Sequence, residues 1–347
     1  MEKIAIIGLG LIGTSIGLGL RDWAAREKQA VTVVGFDIDL AQQQQAKRMK
    51  ATDDMSWDML SVVKDADLVI VATPVGTLPD VFETIADHLK HGSVVTDVCS
   101  TKGQVMGWAR EKLPTTCSFI GGHPMAGKTQ STEGAEATLF KGATWCLSPS
   151  VRASEASVQT VLGLVAALEA EAQFIDADEH DGFVGGVSHL PFVMSSALMN
   201  TVSVSPAWRD MKLLSASGFR YVSRLAAGGV EMHRDICLTN RESVLRWLDA
   251  YTAELHAFRA TLADEGPDQR GKLGAFFSQA RDARADWATA ERTDGGLAQE
   301  TEAELSKNGI GGQFGQMLFG GMLRRRLDPS KTGGNTETKR PERKDRK

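Results

Sequence analysis

The sequence predicts an α/β half followed by an all-α half, and three observations carry that reading. Short β-branched runs alternate with segments of helical spacing from Ile4 to Ile175. The first run ends in a glycine-rich turn that opens a helix, Gly8-Leu9-Gly10-Leu11-Ile12-Gly13. From about Asp178 the β-branched runs stop, and apolar residues recur every three or four positions. At 347 residues the chain has the length for two domains, each with its own core.

Ile4 to Ile7 reads as a strand and Thr14 to Arg26 as the helix beyond the glycine turn. At such a junction Gly8 permits the tight turn, Gly10 lets a pyrophosphate approach the backbone, and Gly13 lets helix and strand pack closely. The amides that open the helix, Leu11, Ile12 and Gly13, would bind the anion. This is the pattern of a Rossmann-type dinucleotide-binding domain. The next strand, Val31 to Phe36, ends at Asp37, which lies 24 residues after Gly13 and suits a carboxylate that holds ribose hydroxyls. Asp37, with Asp39 close behind, predicts NAD over NADP, because a carboxylate repels a 2′-phosphate. The competing reading makes Asp37 a solvated cap for the following helix.

Asp67 to Ala72 and Ser93 to Asp97 read as buried parallel strands. Strand ends face the ligand crevice in open α/β sheets, so Thr73, Pro74 and the turn from Asp97 to Lys102 are expected there. Further strands are expected at Ser118 to Ile120, Ala143 to Leu147 and Ala172 to Ile175, with a helix from Ser154 to Glu169. The sheet should be mainly parallel and covered by helices on both faces.

In the second half, helices are expected at Glu179 to Thr201, Trp208 to Ser215, Tyr221 to Ala227, Glu231 to Ala263 and Pro267 to Ala290. So many apolar positions on helices suggest burial completed by a homodimer. The expected division is residues 1–176, an NAD-binding domain; 177–292, an all-helical substrate and dimerisation domain; and 293–347, a glycine-rich segment with a polar, disordered tail.

A net charge of −5 gives no reason to expect nucleic acid as a partner. The four cysteines include no CxxC pair, so neither a metal site nor a disulfide framework is signalled, and a reducing cytoplasm fits. No signal peptide and no long uninterrupted apolar run is read, so no membrane partner is expected.

His123 lies in Gly121-Gly122-His123-Pro124-Met125-Ala126-Gly127, which reads as a tight turn with little apolar cover. A histidine held there would titrate near neutrality and accept a proton. Beside a dinucleotide fold this suggests a dehydrogenase; the competing reading has the imidazole bonded to its own loop.

Taken together, Gly8 to Ser15, Ala72 to Val75, Asp97 to Lys102, Gly122 to Gly127 (GHPMAG), Asp178 to Asp181 (DEHD), Ser188 to Pro191 (SHLP) and Gly218 to Ala226 resemble the prephenate and arogenate dehydrogenase family. The resemblance implies NAD-dependent oxidative decarboxylation of a cyclohexadienol in tyrosine synthesis. It implies that His123 is the proton acceptor, that Ser100 hydrogen-bonds the same hydroxyl, and that Arg224 binds the ring carboxylate. Ser100 could also cap the helix that starts near Gly103. His189 is a candidate for the pocket wall or a buried histidine satisfied by backbone, and His180 reads as structural.

The chain departs from the family at Phe192, where many members carry a second histidine that contacts the substrate. Tyr221 replaces a usual aspartate, and Lys128-Thr129 follow the GHPMAG segment. These changes bear on the substrate, with prephenate expected first and arogenate or a ring-amino prephenate as alternatives. A β-hydroxyacid dehydrogenase would need a catalytic lysine constellation in the helical half that is not evident, and a non-catalytic NAD-binding protein would not need Ser100, His123 and Arg224 together.

Overall fold

A computed structural model describes residues 2–128 and 131–293. Thr129 and all of the expected segment 293–347 except Thr293 lie outside the described residues.

The α/β half holds one eight-stranded sheet: β1 Glu2–Ile7, β2 Val31–Phe36, β3 Asp54–Met55, β4 Leu68–Val71, β5 Val94–Asp97, β6 Ser118–Pro124, β7 Thr144–Pro149 and β8 Glu171–Phe174. Their order is β3-β2-β1-β4-β5-β6-β7-β8. All neighbours are parallel except β6 and β7, which are antiparallel, so β7 and β8 run against the rest. The register sets Ile7 beside both Phe36 and Val71, and Val71 beside Asp97. The ends of β1, β2, β4 and β5 therefore open on one edge, and the chain turns to opposite sides of β1 there, which makes a crevice.

Helices cover both faces because these strands are apolar on both. Ala5, Ile7, Val69, Val71 and Val95 pack with Val62 and Val63 of α3 (Met59–Val63), Leu78 and Phe82 of α4 (Leu78–Ile85) and Val105 of α5 (Gly103–Lys112). Ile16 and Leu20 of α1 (Leu11–Glu27) and Val161 and Leu164 of α6 (Glu155–Ala167) are buried with them in the protein core. Each such Val, Leu, Ile or Phe side chain contributes roughly 1.5–3 kcal/mol by leaving water. The two-residue β3, the short α3 and the polar α2 (Leu40–Arg48) are too brief or too hydrophilic to show as periodicity in the sequence.

From Ala177 the described chain is helical. The expected helix from Glu179 to Thr201 is α7 (Ala177–Val184), a π turn (Gly185–His189) and α8 (Leu190–Ser203) in unbroken succession. This 27-residue run contains an 18-residue window with a mean hydropathy of 1.3, long and apolar enough to cross a membrane by composition, and it also carries the buried His180 and Asp181. The expected helix from Glu231 to Ala263 is two, α11 (Val230–Thr239) and α12 (Arg241–Ala263), separated at Asn240. Between them and α8 lie α9 (Trp208–Met211), α10 (Ser217–Ser223) and a 3₁₀ turn at Arg224–Ala227, and α13 (Gln269–Thr293) ends the described chain. Val187, Leu213, Leu214, Tyr221 and Val230 are exposed on this half.

Candidate active site

The glycine turn is built for close approach. Gly8 has φ +96, and a Cβ there would stand 2.5 Å from the Ala72 carbonyl oxygen. A Cβ on Gly13 would stand 1.9 Å from the Gly8 carbonyl oxygen, so helix α1 can meet the strand only through glycine. Gly10 is the residue before α1 and offers no side-chain cap, which leaves the Leu11, Ile12 and Gly13 amides without intrahelical acceptors. A Cβ on Gly10 would meet only Gln42 Oε1, at 3.5 Å, so the outer side of the turn has room for an anion.

Asp37 is buried just beyond β2, its Oδ2 accepting from the Leu9 amide at 2.6 Å and its Oδ1 from the Asp39 amide at 2.8 Å. The cap of α2 is Asp39, whose carboxylate accepts from the Ala41 amide, so the reading of Asp37 as that cap is corrected. Thr73 and Pro74 follow β4 at the same sheet edge, where the Thr77 hydroxyl donates to Thr73 Oγ1 at 2.9 Å.

At the end of β5, the buried Asp97 carboxylate accepts from the Cys99 amide at 2.9 Å and the Gly122 amide at 3.1 Å, and it pairs with the equally buried Lys102 ammonium. Each charge compensates the other's desolvation, and together they fix the turn that carries the half-buried Ser100. Ser100 does not cap α5. The amides of Lys102 and Gly103 instead donate to the two carboxylate oxygens of Asp181, at 2.7 and 2.9 Å, so an acid of the helical half caps a helix of the α/β half.

His123 corrects the expectation of an open turn. It lies within β6, paired with Cys146 of β7, and is only 8% exposed. Gly121 and Gly122 serve packing rather than turning: a Cβ on Gly122 would stand 2.6 Å from the Asp97 carbonyl oxygen, and one on Gly121 3.0 Å from Lys102 Cδ. Burial, then the neighbouring His180, Lys102 and His189, push the His123 imidazole well below its ordinary value rather than leaving it near neutrality. Its Nδ1 is 2.9 Å from His180 Nε2, and His180 Nδ1 is 2.8 Å from Asp181 Oδ1.

His189 is fully buried in the π turn, a segment type common at functional sites. Its Nδ1 is 3.1 Å from Asn240 Nδ2, which also donates to the Asp181 carbonyl at 2.7 Å. Its Nε2 makes no well-formed hydrogen bond among the described residues, although the Ser100 backbone lies near enough to favour its protonated form. Burial dominates and pushes His189 down to about 4. The Phe192 ring lies beyond it, 5.9 Å between centroids, and stacks on His233 of α11.

Ser100, His123 and His189 thus meet around His180, Asp181, Lys102 and Asn240. Arg224 does not join them: it is exposed in the turn after α10, held to α8 through Ser195, whose hydroxyl donates to Val222 O and accepts from the Ala226 amide. Asn240 was missed by sequence reading, although an asparagine inside a long expected helix was a signal, since its side chain competes with the helical backbone. A separate cavity of about 380 Å³ beside α5, lined by Met106, Arg110, Phe119 and Arg152 among others, contains none of these side chains.

The model of the prephenate dehydrogenase nucleotide-binding domain matches residues 18–174, and that of the prephenate dehydrogenase dimerization domain matches residues 176–277. The chain belongs to the prephenate dehydrogenase family. It is 32% identical to a prephenate dehydrogenase of Bacillus subtilis over 286 residues, 82% of this chain and 75% of that one. It is 28% identical to a cyclohexadienyl dehydrogenase of Zymomonas mobilis over 290 residues, 82% of this chain and 95% of that one. Its fold matches the crystal structure of Synechocystis arogenate dehydrogenase with a TM-score of 0.67 at 26% identity, covering 82% of this chain and all of the other. In this chain the hydrogen bonds from His123 through His180 to Asp181, and from the Lys102 and Gly103 amides to Asp181, join the sheet half to α7 of the helical half.

Proposed function

We propose that the protein is an NAD-dependent prephenate dehydrogenase acting in tyrosine synthesis. One observation carries this reading: a histidine kept neutral by burial, His123, stands at the end of β6 beside the Ser100 turn, in a chain of this family. Bound NAD supplies the hydride acceptor. Its pyrophosphate would rest on the Gly8 to Gly13 turn and the Leu11 and Ile12 amides, its ribose on Asp37, and its nicotinamide end near Thr73 and Pro74.

Loss of hydride from the carbinol carbon builds positive character that proton loss from the hydroxyl relieves. A neutral His123 has a lone pair for that proton, whereas a protonated one would not. Ser100 would hold the hydroxyl toward His123, Arg224 would pair with the ring carboxylate, and His189 would form the wall behind Ser100. As the ring becomes aromatic, its carboxylate leaves as carbon dioxide.

The division at residues 176 and 177, a homodimer through the helical half and a cytoplasmic location belong to the same proposal; the exposed apolar side chains of the helical half and the dimerization-domain match support the dimer. Arogenate is the second reading of the substrate, favoured by Phe192, a side chain that cannot offer a substrate the hydrogen bond a histidine would.

The test follows reduction of NAD or NADP by the purified protein with prephenate and arogenate in parallel. Turnover with prephenate and NAD is expected, and His123→Asn should cut it by ~10²–10⁴ while leaving NAD affinity nearly unchanged. Unchanged turnover would remove His123 from the chemistry.

A further inference from the structure

We propose that His180 and Asp181 are positioning residues that fix the tautomer of His123 and take over the proton it accepts. This rests on the reading of His123 as the proton acceptor.

The argument begins at Asp181. Its carboxylate already accepts the Lys102 and Gly103 amides, and its third partner is His180 Nδ1, which must therefore carry the hydrogen. A neutral His180 with hydrogen on Nδ1 has a bare Nε2. That atom stands 2.9 Å from His123 Nδ1, so His123 must donate from Nδ1 and keep its own lone pair on Nε2. Nε2 is the one imidazole nitrogen of His123 left to meet a substrate hydroxyl. Two hydrogen bonds in series thus carry the orientation of one carboxylate to the reacting atom, and the N-terminus of α5 and the Asn240 bond to the Asp181 carbonyl hold that carboxylate in place.

The same chain can carry charge. The substrate hydroxyl proton binds His123 Nε2, the Nδ1 proton moves to His180 Nε2, and the cation comes to rest on His180 against the Asp181 carboxylate. One proton enters: His123 exchanges its Nδ1–H for an Nε2–H and stays neutral, whereas His180 keeps its Nδ1–H, gains an Nε2–H and carries the charge. The groups that face His123 explain the direction. Lys102 from the β5 to α5 turn and His189 from the π turn disfavour a cation on His123, and the Asp97 carboxylate is already paired with Lys102. Asp181 is the anion in hydrogen-bond contact with the pair.

The experiment reads the imidazole nitrogens of ¹⁵N-histidine-labelled full-length protein by NMR, and measures kcat/KM against pH. In the wild type, His123 and His180 should both carry hydrogen on Nδ1. His180→Gln, whose side-chain carbonyl still accepts from His123 Nδ1, should keep that tautomer yet lower kcat. His180→Leu should lose the tautomer. Asp181→Asn, and His180→Leu, should move the acid limb of kcat/KM down by about 1 pH unit or more, because the cation loses its partner.

A His123 that carries hydrogen on Nε2 in the wild type overturns the proposal. So does an acid limb that stays in place while kcat falls, since that is the pattern of a merely structural contact. The NMR reading needs no turnover, so it decides the tautomer even if neither prephenate nor arogenate is the substrate.

Discussion

The Phe192 ring lies flat against the His233 imidazole, with centroids 4.1 Å apart and planes 3° from parallel. Burial lowers the pKa of His233, which favours the neutral form of the stacked imidazole. Phe192 sits between His233 and His189, and His189 stands behind Ser100, so a row of three rings runs from α11 to the candidate reaction centre. The middle ring is the one that lacks a hydrogen-bonding group.

Phe192→His should therefore change what the pocket prefers. One added hydrogen bond is worth roughly 0.5–1.5 kcal/mol, which corresponds to about 2–12-fold in selectivity. The expected outcome is a change of that size in the ratio of kcat/KM for prephenate to that for arogenate, measured by cofactor reduction. A ratio that does not move would place position 192 outside the determinants of specificity.

Much of the α/β half was legible because its strands are apolar on both faces and its glycine turn has one physical purpose. Gly8 and Gly13 leave no room for a side chain, and that constraint shows directly as residue identity. Of the candidate site, Ser100, His123 and His189 were named from the sequence and lie together in the structure, whereas Arg224 lies apart and the arrangement itself was not legible. The sequence Gly121-Gly122-His123-Pro124 has the composition of a turn, yet the glycines are there because the Asp97 carbonyl and the Lys102 side chain press on β6. His180 is 57 positions from His123, and Asp181 reaches 79 positions back to Lys102; no local pattern encodes such pairings. Asn240 divides an otherwise continuous helical pattern because its amide is committed to Asp181 and His189. Arg224 remains known by its motif alone.

Arg224→Ala should separate binding from stability. Arg224 is exposed and no hydrogen bond or ion pair holds it among the described residues, so its removal should alter the unfolding free energy by no more than about 0.5 kcal/mol. If the guanidinium binds the ring carboxylate, the same change should raise KM with a smaller effect on kcat, by about 10-fold or more for a lost charge-assisted pair. Urea unfolding and steady-state kinetics on one preparation read both quantities. An unaltered KM would remove Arg224 from the site.

His189 should make the protein acid-sensitive in a defined window. Its pKa is about 4 in the folded protein, below its ordinary value of 6.5, because burial disfavours the charged ring. Between those two values the unfolded chain binds the proton and the folded one does not, so acid favours unfolding. The contribution is fully present above pH ~6.5, declines as pH falls, and is gone below about 4. At ~1.4 kcal/mol per pH unit it amounts to ~3 kcal/mol for this fully buried side chain. His123 is also depressed and shares part of the window, and carboxylates titrate there too, so the His189 part is the difference between wild type and His189→Gln. Unfolding free energies from urea titrations at pH 7, 6 and 5 should fall more steeply for the wild type than for the variant. Parallel curves would mean that the folded protein takes up the proton as readily as the unfolded chain, and that the Asp181 carboxylate and the Ser100 backbone offset the burial of the ring.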